Sequence, residues 1–184
     1  ILNKFFVLYT LPGSDEKSWP PGLAAGYAWT EETSGYMVAV CLMHILGGPV
    51  SRIRAYTPAN ALPGEPLHIL VRPEDKFDNL ANAQPGPVEI SVDGKPLPAT
   101  VQPVEDSTCL RLTATLPEAG VYRISVRATD SGLTAETNPV VCSNDKEPVF
   151  WGMIHGHTEM SDGRGRLDEY FHQLKNEVAL DFAA

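Results

Sequence analysis

The residues of this 184-residue chain best furnished for chemistry gather in one stretch. His155-Gly156-His157-Thr158 closes an apolar run, and Ser161-Asp162-Gly163 follows it. Two histidines at i and i+2 on an extended chain project to the same face, so both imidazoles reach a single cation. Asp162 stands where the loop returns a carboxylate to the same pocket. Neutral imidazole and carboxylate together suit zinc, manganese or iron. Asp162 equally fits a turn residue whose side chain bonds nearby backbone. Arg164 and Arg166 flank the loop and suit either a substrate phosphate or plain solvation. His172, next to Phe171, reads as a surface or half-buried residue rather than a ligand, and Glu159 takes no role.

These side chains need elements to hold them. Val149-Phe150-Trp151-Gly152-Met153-Ile154 reads as an apolar strand leading into the histidines, and Thr158 to Gly165 as a polar loop. From Arg166 onward, Leu167, Tyr170, Phe171, Leu174 and Val178 recur at helical spacing. Asp168 and Glu169 fall in the first turn, where the helix dipole favours acids. Leu180-Asp181-Phe182-Ala183-Ala184 begins a further strand. Strand, loop, helix, strand is the opening β-α-β unit of an α/β domain, and such folds place their sites at the carboxyl ends of strands.

Val149-Phe150-Trp151-Gly152-Met153-Ile154-His155-Gly156-His157-Thr158-Glu159-Met160-Ser161-Asp162-Gly163 resembles the first motif of the polymerase and histidinol phosphatase (PHP) superfamily. Glu169-Tyr170-Phe171 and Leu180-Asp181-Phe182-Ala183 are similar to that family's continuation. The resemblance implies metal binding by His155 and His157 at the mouth of a distorted (β/α)7 barrel. It also implies a further metal position served by Asp162, and phosphoester hydrolysis as the commonest activity. It places a Thr-Asp-His motif just after Ala184 and more ligands beyond it. The chain is therefore expected to be the N-terminal part of a longer enzyme, inactive by itself.

Residues 51–142 carry a different pattern. Leu67, Ile69 and Val71 alternate with His68, Leu70 and Arg72; Val88, Ile90 and Val92 follow, then Asp93-Gly94 as a hairpin turn. Leu110, Leu112, Ala114 and Leu116 alternate next, then Tyr122, Ile124, Val126 and Ala128. Period-2 segments between short turns indicate an antiparallel sandwich. Pro63-Gly64-Glu65-Pro66, Glu74-Asp75-Lys76-Phe77-Asp78-Asn79 and Gly120-Val121-Tyr122 resemble those of immunoglobulin-like or filamin-like bacterial modules. That resemblance implies spacing, binding or docking rather than catalysis. Residues 1–50 are a poorly defined β-rich segment: Phe5 to Thr10 reads as a strand, whereas Gly35 to Leu46 fits a strand or a buried helix.

Composition bounds the rest. Hydrophobic residues at 43% exclude wholesale disorder, and 15 glycines with 16 prolines point to many turns and short strands. A net charge of -9 argues against a nucleic-acid backbone as main partner. It leaves small anionic substrates open, because a bound metal reverses the local field. Cys41, Cys109 and Cys142 show no metal spacing and read as buried packing, one strand-to-strand bridge remaining open. The longest apolar run, Met37 to Leu46, is too short to span a membrane.

The expected fold is mainly β: an immunoglobulin-like sandwich over 51–142, then the opening β-α-β unit of a truncated PHP-type (β/α) barrel over 149–184. Ser143 to Pro148 is a polar linker between them. The expected function is part of a metal-dependent hydrolase acting on a small-molecule ester or phosphoester through a metal-activated water. Phosphoesters come first; carbamates and carboxyl esters suit the same chemistry. The alternative of another class is a non-catalytic β-sandwich that binds a partner or spaces domains.

Overall fold

The computed structural model describes residues 2–10, 25–27, 36–44, 46–144, 147–161 and 165–184, with side chains from residue 46 onward. Two compact units divide the chain, residues 1–46 and 47–184. In the first, β1 (Leu2–Thr10), β2 (Ala25–Tyr27) and β3 (Tyr36–His44) form an antiparallel sheet in the order β1-β3-β2. Leu2 pairs with His44 and Thr10 with Tyr36, so β1 and β3 match along their whole length. Periodicity left Gly35 to Leu46 open between strand and helix; a full-length partner strand decides for β, because its ladder satisfies the backbone groups of both segments.

The second unit contains β4 (Arg52–Tyr56), β5 (Asn60–Ala61), β6 (Pro66–Glu74), β7 (Val88–Val92), β8 (Lys95–Pro96) and β9 (Ala99–Pro103). They are followed by β10 (Leu110–Thr115), β11 (Gly120–Tyr122), β12 (Ser125–Ala128), β13 (Thr134–Glu136) and β14 (Val140–Cys142). One antiparallel sheet runs β4-β6-β10-β9 and another β13-β12-β7-β8. A small third sheet, β11-β14-β5, pairs β14 with β5 in parallel. The inward residues of these sheets make one core. Ile69, Val71, Leu112, Leu116, Ile124, Val126 and Val140 are fully buried within it. The alternation read from the sequence matches the burial pattern of β10 and most of β6, except that Leu70, read as outward, is buried in a second cluster with Val104 and Cys109; the fold is a mainly β sandwich. Cys109 and Cys142 are buried free thiols, and burial pushes both pKa values up. Cys41 lies outside the residues whose side chains are described.

Two local features explain how the strands turn. Val92 pairs with Lys95 across Asp93-Gly94, whose φ values of 50° and 75° are both positive. That is the type I′ geometry that matches strand twist and that Asp-Gly favours. The alternation from Tyr122 to Ala128 reads as one strand, but the structure breaks it at Arg123-Ile124 and places the halves in different sheets. The Ile124 N–H donates to the buried Thr137 hydroxyl at 3.0 Å, so a side chain takes the place of a ladder partner there.

The segment after β6 is built around one carboxylate. Asp75 accepts from the Gly48 N–H at 2.9 Å, and from the N–H groups of Phe77 at 2.8 Å and Asn79 at 3.0 Å. The Gly48 bond contributes most to lowering its pKa, against the opposing effect of burial; the remaining bonds help bring it from 3.8 to about 2. Next to it, Glu74 gathers Arg52 at 2.7 Å, Arg54 at 2.9 Å and Arg72 at 3.2 Å. Burial would raise the Glu74 pKa, but the Arg52 and Arg54 hydrogen bonds outweigh it and hold the carboxyl below its ordinary value.

After the linker come β15 (Gly152–Met153), α1 (Leu167–Asn176) and β16 (Phe182–Ala183). β15 and β16 pair in parallel, with Gly152 opposite Phe182. Trp151 and Asp181 lock their start: the Trp151 N–H donates to Asp181 Oδ2 at 2.8 Å and the Asp181 N–H to the Trp151 carbonyl at 2.7 Å. Among the described residues this is the extent of the β/α part, and it does not close into a barrel. Its apolar stripe is only half covered. Phe150, Trp151 and Ile154 are 64%, 61% and 82% exposed, and Phe171 of α1 is 45% exposed.

Candidate metal site

The site is built from a strand end, a turn and a helix. Beyond β15 the chain bends at Ile154 and brings the His155 and His157 imidazoles together. Their Nε2 atoms lie 2.7 Å apart and their ring centroids 4.7 Å apart, with both residues exposed. At that separation one ring nitrogen donates and the other accepts, the tautomers deciding which. A cation bound at 2.0–2.1 Å by both nitrogens in near-tetrahedral geometry needs them about 3.3 Å apart. Two exposed imidazoles are a donor set that suits zinc, manganese or iron. The predicted pair is thus brought together at the Nε2 atoms.

The turn behind the pair is ordered by Thr158, which is 7% exposed. Its hydroxyl accepts from the Met160 N–H at 3.2 Å, and its carbonyl accepts from the Ser161 N–H at 3.0 Å. Ser161 Oγ then stands 3.4 Å from His157 Nδ1, the ring nitrogen away from the pair. Glu159 N–H closes the loop on the Gly165 carbonyl at 2.8 Å. Asp162 and Arg164, predicted as metal ligand and substrate contact, lie outside the described residues. Arg166 is described, and its guanidinium grips Asp168 at 3.0 and 2.7 Å. That bidentate bond holds the Asp168 carboxyl below its ordinary pKa and raises that of Arg166. Among the described residues no third His, Cys, Asp or Glu joins the histidine pair.

His172 is half-buried, as expected, with Nδ1 3.1 Å from Asn176 Nδ2 one turn along the helix. That bond belongs to contacts the sequence did not reveal. Asn176 Oδ1 accepts from Arg111 Nη2 of β10 at 2.7 Å. Arg72 Nη1 of β6 donates to the Glu177 carbonyl at 3.1 Å and lies 3.9 Å from the Glu177 carboxylate. A guanidinium thus meets the negative end of the helix dipole. Ala179 packs with Leu70, Val104 and Cys109 of the sandwich. Beside this interface a cleft of about 850 Å³ runs between the sheet and α1, lined by His68, Leu70, Arg111, Phe171 and Phe182 among others. The histidine pair does not line it.

No family model matches the chain. It is similar to uncharacterized proteins of Chlamydia muridarum, 26% identical over 76% of this chain and 23% of that protein, and of Chlamydia trachomatis, 26% identical over 77% and 24%. The chain thus spans about a quarter of the length of the curated relatives it matches. Among solved structures it is similar to the Lin-41 filamin domain, at 17% identity and a TM-score of 0.35 over 50% of this chain and 97% of that one. Domains 4 and 5 of the S-layer protein SbsC give 16% identity and a TM-score of 0.34 over 58% and 52%. No helix among the described residues is long and apolar enough to cross a membrane.

Proposed function

We propose that the sandwich is a non-catalytic docking module, and that what it docks is the β-α-β segment following it in the same chain. The observation that carries this is the pair of guanidinium contacts on the outer face of the β4-β6-β10-β9 sheet, Arg72 to Glu177 and Arg111 to Asn176. A spacer joined only by its linker needs no such contacts. Hydrogen exchange of residues 167–176 tests the reading: Arg111→Ala should speed it while leaving β12 and β14 protected. Unchanged exchange in the helix would remove the docking role.

The histidine pair favours a second reading, in which the docked segment belongs to a metal-dependent hydrolase. This is what the resemblance of residues 149–163 to the PHP superfamily implies, with a phosphoester as first substrate class and carbamates or carboxyl esters next. His155 and His157 hold the ion, and their convergence at 2.7 Å supports that role. When bound, a zinc, manganese or iron ion supplies a Lewis acid and a nucleophilic water near neutral pH. Arg164 and Arg166 are the residues proposed to meet substrate; Arg166 must first leave Asp168. Calorimetric titration of Zn²⁺ or Mn²⁺ should show binding that is lost in His155→Ala/His157→Ala and kept in His172→Gln. Equal binding by the parent and the double variant sinks this reading.

A further inference from the structure

We propose that Tyr170 is the positioning residue of the histidine pair, acting on Gly156 in the loop after β15. The inference rests on the metal-binding reading of His155 and His157. The Nε2 atoms of His155 and His157 meet each other in the loop that leaves β15, whereas a Cβ on Gly156 would point at α1. A Cβ built on Gly156 falls on the Tyr170 hydroxyl, 2.7 Å from Cζ and 3.2 Å from Cε2. The phenol therefore occupies the space that any other residue at 156 would claim.

Tyr170 is itself held. It sits in α1, with its N–H donating to the Arg166 carbonyl at 3.0 Å. Its ring stands edge-on to Phe171 at 5.4 Å. Its hydroxyl oxygen is buried and has no hydrogen-bond partner among the described residues. A buried hydroxyl without a partner costs stability and calls for a reason. Here the reason is steric: the oxygen fills the gap behind Gly156 and stops the glycine from using its backbone freedom. That support adds to the Ser161 contact on His157 in setting how closely the two rings approach. The helix thus contributes to the spacing of the two nitrogens through Gly156.

The test is a cycle of Tyr170→Ala, Gly156→Ala and the double variant, made in the whole protein. Two readouts are taken: Zn²⁺ affinity by calorimetry, and the imidazole ¹⁵N signals of His155 and His157 in metal-free protein. Each single variant should weaken Zn²⁺ about tenfold, the lower end of what loss of an orienting group costs a metal site. Each should also shift the Nε2 signals as the two rings separate. The double variant should lie closer to the parent than either single one, because the new methyl enters the space the phenol leaves. Support from α1 as a whole predicts instead that the two losses multiply, and that result overturns the proposal. So does a Tyr170→Ala variant with parental Zn²⁺ affinity and parental imidazole signals. If the parent takes up no Zn²⁺ yet the signals shift in the single variants and recover in the double one, the metal reading fails and the positioning role stands. Exchange of residues 167–176 in each variant distinguishes a melted helix from a displaced loop. Tyr170→Phe keeps the ring and should fall between the parent and Tyr170→Ala.

Discussion

Replacing Arg72 by methionine keeps most of the side-chain stem and removes the guanidinium that joins sandwich to helix. Arg72 bonds Glu74 at 3.2 Å and the Glu177 carbonyl at 3.1 Å, and its side chain is 11% exposed. Glu74 does not lose all its partners, because Arg52 and Arg54 stay at 2.7 and 2.9 Å. The Glu177 side is different. Its carbonyl loses a charged donor, and its carboxylate, also 11% exposed, loses the cation 3.9 Å away. A hydrogen bond to a charged group is worth about 1.5–3 kcal/mol. The expected cost of Arg72→Met is therefore about 2–3 kcal/mol, below the 3–5 kcal/mol typical of a wholly orphaned buried charge. For a chain of this size that lowers Tm by roughly 4–12 °C if the unit unfolds as one. Thermal unfolding and hydrogen exchange should be read together. If α1 opens separately, its amides should exchange faster by the same free energy while the β12 and β14 amides stay protected. Parental Tm together with parental exchange of residues 167–176 would refute the claim that Arg72 holds the helix to the sheet.

The remaining predictions concern the sandwich and the strand pair after it. Asp75 has a folded pKa of about 2 against the ordinary 3.8, so its contribution to stability is full above about pH 4 and lost as pH falls through 2. Asp75→Asn should lower stability at neutral pH and flatten that acid limb in urea titrations at successive pH values. Gly94 has φ of 75° and open space where a methyl would sit, so Gly94→Ala should cost only the backbone strain, about 1–2 kcal/mol by urea unfolding. At Gly152 a methyl falls on the Phe182 carbonyl and ring, so Gly152→Ala should undo the β15·β16 pair, seen as lost protection of the Ala184 amide.

The asymmetry around Glu74 bears on both the docking and the acid behaviour. Three arginines share one carboxylate whose side chain is 6% exposed, and only one of them reaches across to the helix. The cluster thus holds the Arg72 guanidinium from the sandwich side independently of the helix. A pre-oriented cation loses less side-chain freedom when it binds the Glu177 carbonyl, which strengthens docking without any additional contact.

Much of the sandwich was legible in the order of residues, because burial with period 2 is a local pattern. Leu67, Ile69 and Val71, like Leu110, Leu112 and Ala114, are buried where alternation put them, and Asp93-Gly94 turns where its dihedral preferences put it. The i, i+2 spacing of His155 and His157 was equally local, and their nitrogens meet. Three features were not legible. The break of the Tyr122 to Ala128 alternation between two sheets depends on the Thr137 hydroxyl, a side chain from another part of the chain. The docking bonds join residues 105 apart at Arg72 and Glu177 and 65 apart at Arg111 and Asn176. The support of Gly156 comes from Tyr170, whose helical spacing marked it only as part of an apolar stripe. Local spacing determines which way neighbouring side chains point, since backbone geometry alone sets that. Which distant side chain arrives opposite them is decided by how the sheets and helix pack, and only the tertiary structure contains that.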